Sequence, residues 1–241
     1  MLYQLFHVGI YDPLYNGLVF ILSILPHADV GIAVVLLTIL VKILLFPLAR
    51  RAIHTQIALK KIGPDLERIK KEYATDQQEQ VKKMFALYKE NGIHPFSGFL
   101  IILIQIPIIF GLYLVFMRGG LPVIDTTLLY SFISTPKEVS MLFLGFIDLS
   151  GKSIVLAIIA GASQFLHARI AMQPPEHLSK PGESMKDDIV RSLHIQMRYV
   201  LPVVITVVAY TISSAVALYW ATSNIFTLLQ ELYVRRSRNN I

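Results

Sequence analysis

The chain has 241 residues, of which 54% are hydrophobic and only 16% charged, with a mean hydropathy of +0.59; this composition excludes a soluble domain and fits one polytopic membrane bundle. The formal net charge of +6 does not by itself point to nucleic acid, because in a membrane protein the placement of cations decides orientation; no sequence-specific nucleic-acid partner is expected. The absence of cysteine removes disulfides, thiolate nucleophiles and Cys-based metal sites.

Residues 1–29 are expected to form an external amphipathic or interfacial segment. Met1 to Leu25 contains no Lys or Arg and no small-residue cleavage site, so no signal peptide is expected. Tyr3, Phe6, His7, Ile10 and Tyr11 fall at helical spacing until Asp12-Pro13, which predicts a break. Leu14 to Leu25 is apolar over about 12 residues, too short to span and suited to lying in the interface. After Pro26 to Asp29 comes the first span, residues 30–49, in which Gly31 to Leu48 stays apolar for about 18 residues, or roughly 27 Å of helix. Lys42 sits in this span about 9 Å from its Leu48 end, hence in one leaflet, and Thr38 lies one turn earlier on the same face. An intramembrane lysine costs roughly 2.5–3.5 kcal/mol and usually faces a bundle interior or a wet cavity. Snorkelling to the nearer interface is the alternative.

Residues 50–95 change character and predict a solvated helical hairpin. Ile62, Leu66, Ile69 and Tyr73 form one apolar stripe, and Val81, Met84, Phe85 and Tyr88 a second. Ala74 to Asp76 is the turn between them, Thr75 with Gln78 fits a capping box, and Gly92 suits a left-handed helix cap.

Residues 96–117 read as the second span, uncharged up to Met117, with Gln105 and Pro107 inside it. Residues 118–152 form an external loop whose Leu142 to Ile147 stretch is apolar but too short to cross. The third span, 153–172, carries Ser163, Gln164 and His167 towards its end; 173–197 is a second polar loop; 198–213 is the fourth span. The fifth span, 215–234, places Trp220, Asn224, Thr227 and Glu231 on one face with Ser223 beside them, Glu231 being close enough to the end to be interfacial. A basic tail, 235–241, follows. The expected fold class is therefore an all-α polytopic membrane protein with five transmembrane helices, an external interfacial helix and a cytoplasmic helical hairpin.

Placing the hairpin, the second loop and the tail on one side collects 18 of the 22 Lys and Arg there and leaves three opposite, with Lys42 between. The positive-inside rule then puts the N-terminus outside, the C-terminus in the cytoplasm and Lys42 in the cytoplasmic leaflet of the cell membrane. No phosphate-binding glycine loop and no metalloprotease-type i,i+4 pair sits in the chain, so no cofactor, metal or enzymatic chemistry is expected. Five spans with a hairpin after the first do not divide into the two similar halves of many transporters.

The order of parts, together with GIAVVLLTILVKILLFPL, Met84 to Lys89, HPFSGFLIILIQIPIIFGLY and ALYWATSNIFTLLQ, resembles the YidC/Oxa family of membrane protein insertases. The resemblance covers about Tyr11 to Arg236, and it is to a short form without the large external domain of some bacterial members. It implies a hydrophilic groove open to the cytoplasm and to lipid but closed externally, with an arginine on the first span. Lys42 stands at that position here, which keeps the charge and loses the planar fork of a guanidinium. Trp220 matches the aromatic of the fifth-span motif and Gln105 the Gln of the second-span Q-x-P motif; the third-span correspondence falls on Gln164 or His167. Lys42, Thr38, Gln105, Gln164, His167, Trp220, Ser223, Asn224 and Thr227 are thereby the candidate groove residues. The resemblance further implies nascent membrane proteins, the ribosome, the lipid bilayer and the Sec translocon as partners, the last not necessarily engaged. Two other functions compatible with the pattern are a small transporter or channel using Lys42 as an ion or substrate site, and an assembly scaffold without insertase activity.

Overall fold

Helix follows apolar periodicity along most of the chain in the computed structural model, which describes residues 2–94, 97–118, 121–171 and 185–239. The helices are α1 (Leu2–Phe6), α2 (Asp12–Ile24), α3 (Val30–Leu44), α4 (Phe46–Lys61), α5 (Gly63–Glu72), α6 (Gln77–Glu90), α7 (Ser97–Arg118), α8 (Ile154–Ala171), α9 (Met185–Ile195), α10 (Leu201–Ile212) and α11 (Ser214–Asn239). One antiparallel hairpin, β1 (Leu142–Phe143) with β2 (Ile147–Asp148), corrects the all-α expectation to mostly helical. Its loop turns through Leu144 (φ 54°) and Gly145 (φ 82°), so this apolar stretch is a hairpin folded on the bundle. Of the polar loop expected at 173–197, residues 173–184 lie outside the described residues, and 185–197 are helical, which corrects that part of the expectation.

Pro13, expected as a break, lies inside continuous helix, and so does Pro202. Residues His7–Tyr11 and Gln196–Val200 are π turns, with Asp12 N–H donating to His7 O and Leu201 N–H to Gln196 O. Pro13 and Pro202 follow immediately. The widened turn accommodates a ring that would otherwise press on the carbonyl four residues back. The N-terminal segment therefore runs unbroken through Asp12-Pro13, and Tyr3–Ile24 is long and apolar enough to cross a membrane, which corrects the expectation that nothing in 1–29 has spanning length. By the same device helix is continuous from Met185 to Ile212, and its Asp188–Ile212 part, which starts ten residues before the expected span, is long and apolar enough to cross a membrane.

Pro47 has the opposite effect. It breaks the expected first span at Leu45, and α3 and α4 meet at 62°. Among the described residues three helices pass as membrane spans by length and apolarity, Tyr3–Ile24, Ile154–Ala171 and Asp188–Ile212, and up to four if the bent pair α3–α4 is one span. α7 is 22 residues long and includes the apolar stretch Leu103–Phe116, while polar and charged side chains recur along α11. The basic tail is not separate: Arg235 and Arg236 continue α11.

In the soluble hairpin, α5 and α6 pair with each other, and neither contains a buried residue. The α6 N-cap is Asp76, whose carboxylate accepts from Glu79 N at 3.0 Å, one residue later than the Thr75 box expected. Gly92 (φ 61°) closes α6 as foreseen, with Gly92 N donating to Lys89 O at 3.1 Å and Ile93 N to Tyr88 O at 2.8 Å, the double bond of a Schellman turn.

The bundle packs α8 between α10 and α11, with α3 on the far side of α11 and α2 against α3 and α7. Small residues permit this: a Cβ on Gly161 would collide with Thr206 Oγ1 and come within 3.0 Å of Pro202 O, so α8 and α10 touch backbone to side chain there. The apolar core is confined to one half of the bundle. It takes α3 up to Leu37, α7 from Ile108 onward, α8 up to Ala160, α10 from Ile205 onward and α11 up to Ala221. These are the helix ends nearest the loop 121–153. That loop is stapled down by buried polar groups. Asp125 N donates to Tyr15 OH at 2.7 Å, and Asn16 bonds Leu128 O at 2.9 Å and Tyr130 N at 2.7 Å. Asp29 caps α3 through Ile32 N at 3.0 Å and also accepts from Leu144 N at 2.8 Å, tying the β-hairpin to the helix start. Phe143 fills the space a side chain on Gly31 would need.

Candidate functional site

In the other half of the bundle, polar side chains replace the apolar core. Lys42 is on the last turn of α3, and its ammonium donates to Gln105 Oε1 of α7 at 3.2 Å and to Thr227 Oγ1 of α11 at 3.0 Å. Both acceptors are neutral. Among the described residues no carboxylate pairs with Lys42, so the charge is solvated by two dipoles without being neutralised, and one of its three N–H donors is left over. The backbone there is held as well, because Gln230 Nε2 donates to Lys42 O at 3.0 Å just before the break at Leu45. Gln105 in turn donates to Tyr219 OH, and Thr227 donates to Ser223 O at 2.7 Å. A lysine snorkelling alone to an interface would show none of this three-helix anchoring.

The polar stripe expected on α11 separates into two adjacent rows. Tyr219, Ser223, Thr227 and Gln230 form the row that meets Lys42 and Gln105; Trp220, Asn224 and Glu231 form the row turned to α8. Asn224 Nδ2 donates to Ser163 Oγ at 3.3 Å, and Ser163 donates on to Ala160 O at 2.8 Å. Glu231 is only 2% exposed, which corrects its reading as interfacial. Arg235 donates to its Oε1 from Nη2 at 2.7 Å and from Nε at 3.1 Å, while His167 Nε2 stands 3.8 Å from Oε2. A buried carboxylate needs such partners, because an unpaired charge in low dielectric is expensive.

The structure thus brings Lys42, Gln105 and Thr227 into one contact group with Ser223 behind it, and Asn224 and His167 into a second along α8. Thr38 is buried but its hydroxyl donates back to Val34 O at 2.6 Å, so it bonds its own helix and not the Lys42 group. Gln164 is half-buried with no side-chain hydrogen bond among the described residues, and Trp220 packs half-buried against the apolar core. Tyr219, Gln230 and Glu231 are the residues that sequence reasoning left out of the site. Tyr219 and Gln230 lie one helical position away from Trp220 and Glu231, so a second row offset by one residue was the available signal. Among the described residues no group of His, Asp or Glu is placed to hold a metal ion.

What the arrangement offers is a cation with spare hydrogen-bonding capacity in a polar half-bundle, closed at the opposite end by packed apolar side chains. It is suited to attracting acidic or polar chain segments, more strongly than the same charge would in bulk water.

Comparison with known proteins bears directly on this geometry. The curated relatives include a membrane protein insertase YidC of Fusobacterium nucleatum subsp. nucleatum, 30% identical over 94% of this chain and 97% of its own length. Another, of Oceanobacillus iheyensis, is 32% identical over 86% of this chain and 74% of its own length. A membrane protein insertase YidC of Magnetococcus marinus is 28% identical over 93% of this chain but only 35% of its own length. The sequence profile described as "60Kd inner membrane protein" matches residues 21–240, and the chain belongs to that family.

Proposed function

We propose that this chain is a membrane protein insertase that takes hydrophobic client segments, with their polar flanks, into the half-bundle around Lys42 and releases them sideways into lipid. The observation that carries this reading is the division of the bundle: apolar core at the loop 121–153 end, an uncompensated Lys42 at the other. A polar segment crossing about 30 Å of hydrocarbon meets a large desolvation cost, and a hydrated cavity through one leaflet shortens the dry path. Lys42 draws acidic residues of the segment inward, and burial of the client's apolar span in lipid supplies the net driving force. Candidate groove residues are Lys42, Gln105, Ser223 and Thr227, with Asn224, Gln164 and His167 along α8 and Trp220 and Thr38 as flanking packing.

Topology in this reading has five spans: the bent α3, α7, α8, the Asp188–Ile212 helix and α11. The Lys- and Arg-rich hairpin and the end of α11 face the cytoplasm. The N-terminus, without Lys or Arg, stays outside, with Tyr3–Ile24 held against the outer half by the Tyr15 and Asn16 contacts to loop 121–133. The basic cytoplasmic surfaces then meet the ribosome, and insertion proceeds with or without the Sec translocon.

The test is insertion of a single-span client with an acidic N-terminal tail into liposomes containing only this protein, read by protease protection of the tail. Protection above that of empty liposomes is the expected result. No protection with folded protein overturns autonomous insertion, and a client-independent ion flux through the same liposomes replaces it with a channel or transporter.

A further inference from the structure

Outside the Lys42 site, a pocket of about 690 Å³ opens between α4 and the start of α7. One face of α4 builds one wall: Arg51, Thr55 and Ala58 follow Leu48 at steps of three, four and three, with His54 beside them. The Schellman turn after α6 builds the other wall, with Asn91 to His94 lining the same pocket as Arg51 and His54. Ser97, at the first position of α7, closes the floor: its hydroxyl donates to His94 O at 2.8 Å and stands 2.9 Å from the Thr55 hydroxyl, from which it can accept. Among the described residues no Asp or Glu lines the pocket, and Arg51, His54 and His94 enter no ion pair. Three cationic or cation-capable side chains therefore converge without a counter-charge.

The mouth is apolar on one side. Leu48 and Leu100 line it, and Leu100 begins a row on α7 with Leu103, Ile106 and Phe110, each about half exposed, at steps of three, three and four. A stripe of that kind on an apolar helix meets acyl chains. Cationic lining joined to a lipid-facing row matches an amphiphile with an anionic head.

We infer that this pocket binds the phosphate headgroup of an anionic phospholipid, with Arg51 and His94 on the phosphate and the acyl chains along Leu100 and Leu103. A free phosphate offers the same oxygens without the chains, and the test separates the two. The inference does not rest on insertion activity.

Native mass spectrometry of the full chain released from detergent, titrated with dioleoylphosphatidylglycerol or dioleoylphosphatidylcholine, measures it. Phosphatidylglycerol is expected to be retained about tenfold better than phosphatidylcholine, the size of effect two surface cations give. Arg51→Glu, at an exposed position, is expected to bring the two lipids to parity, and the double variant Arg51→Gln/His94→Gln to do the same. Lys137→Gln, in the loop at the other end of the bundle, is expected to leave the preference intact. An unchanged preference in Arg51→Glu overturns the proposal. Displacement of the lipid by an equal concentration of inorganic phosphate overturns the lipid part of it. Absence of a phosphatidylglycerol preference, with Arg51-dependent binding of an acidic peptide instead, assigns the pocket to a protein partner.

Discussion

Both halves of the bundle bury polar side chains, and they use them differently. At the loop 121–153 end, Asp29, Asn16 and Tyr15 bond backbone groups of neighbouring segments, Leu144 N, Leu128 O, Tyr130 N and Asp125 N. Backbone partners have fixed positions, so these side chains act as staples. At the other end, Lys42, Gln105, Tyr219 and Thr227 bond largely to one another through side chains that can rotate away, and Lys42 keeps a donor in reserve. A buried polar group closes a structure when it satisfies backbone and opens a site when it satisfies only other side chains.

The largest effect expected from disturbing that contrast is at Lys42. Lys42→Glu reverses a charge held by neutral dipoles in the polar half and is expected to abolish insertion of an acidic-tailed client in the liposome assay, whereas Lys42→Arg retains it. Equal activity of Lys42→Glu and the parent would remove the electrostatic part of the mechanism. At the stapled end the cost falls on stability instead. Asp29→Ala removes the α3 cap and leaves Leu144 N without its acceptor, which is expected to cost about 2–3 kcal/mol and to lower the thermal midpoint in detergent without changing the phosphatidylglycerol preference of the protein. Gly161→Ala tests the close contact of α8 with α10. Overlap with Thr206 and the Pro202 carbonyl is expected to cost about 1–3 kcal/mol, and restoration by Thr206→Ala in the same chain would identify that contact as the cause.

The smallest effect is in the loop itself. Hydrogen bonds from the Thr127 hydroxyl and amide hold the Asp125 carboxyl below its ordinary value of 3.8. The folded value is the lower one, so the contribution is present above 3.8 and fades as pH falls through the folded value. Amide exchange around Thr127, corrected for its intrinsic pH dependence, is expected to quicken only in that acid range. Quickening near neutral pH would place the loop's anchoring elsewhere.

Much of the polar half was legible in the sequence because an isolated lysine and a polar stripe contradict an apolar helix. Periodicity put Thr227 on the polar stripe of its span, and a glycine after α6 announced its cap. What stayed hidden depends on tertiary partners. Tyr219 in an apolar run looks like any core aromatic until Gln105 is seen donating to it. Glu231 looks interfacial until Arg235 and His167 are placed around it. Asp12-Pro13, expected as a break, is absorbed by a π turn within a helix packed on α7, and Phe46-Pro47, expected inside the first span, becomes a 62° break; whether a proline bends its helix was not legible from the residue alone.

That break has a mechanical consequence. Beyond Leu45, α4 does not continue the axis of α3; it lies against α7 and α11, the two helices that supply the acceptors for Lys42. The elbow therefore lays α4 across both α7 and α11, while the Gln230 bond to Lys42 O ties α11 to the arm above the bend. One bend in the chain thus joins, on both of its arms, the helices that meet at Lys42.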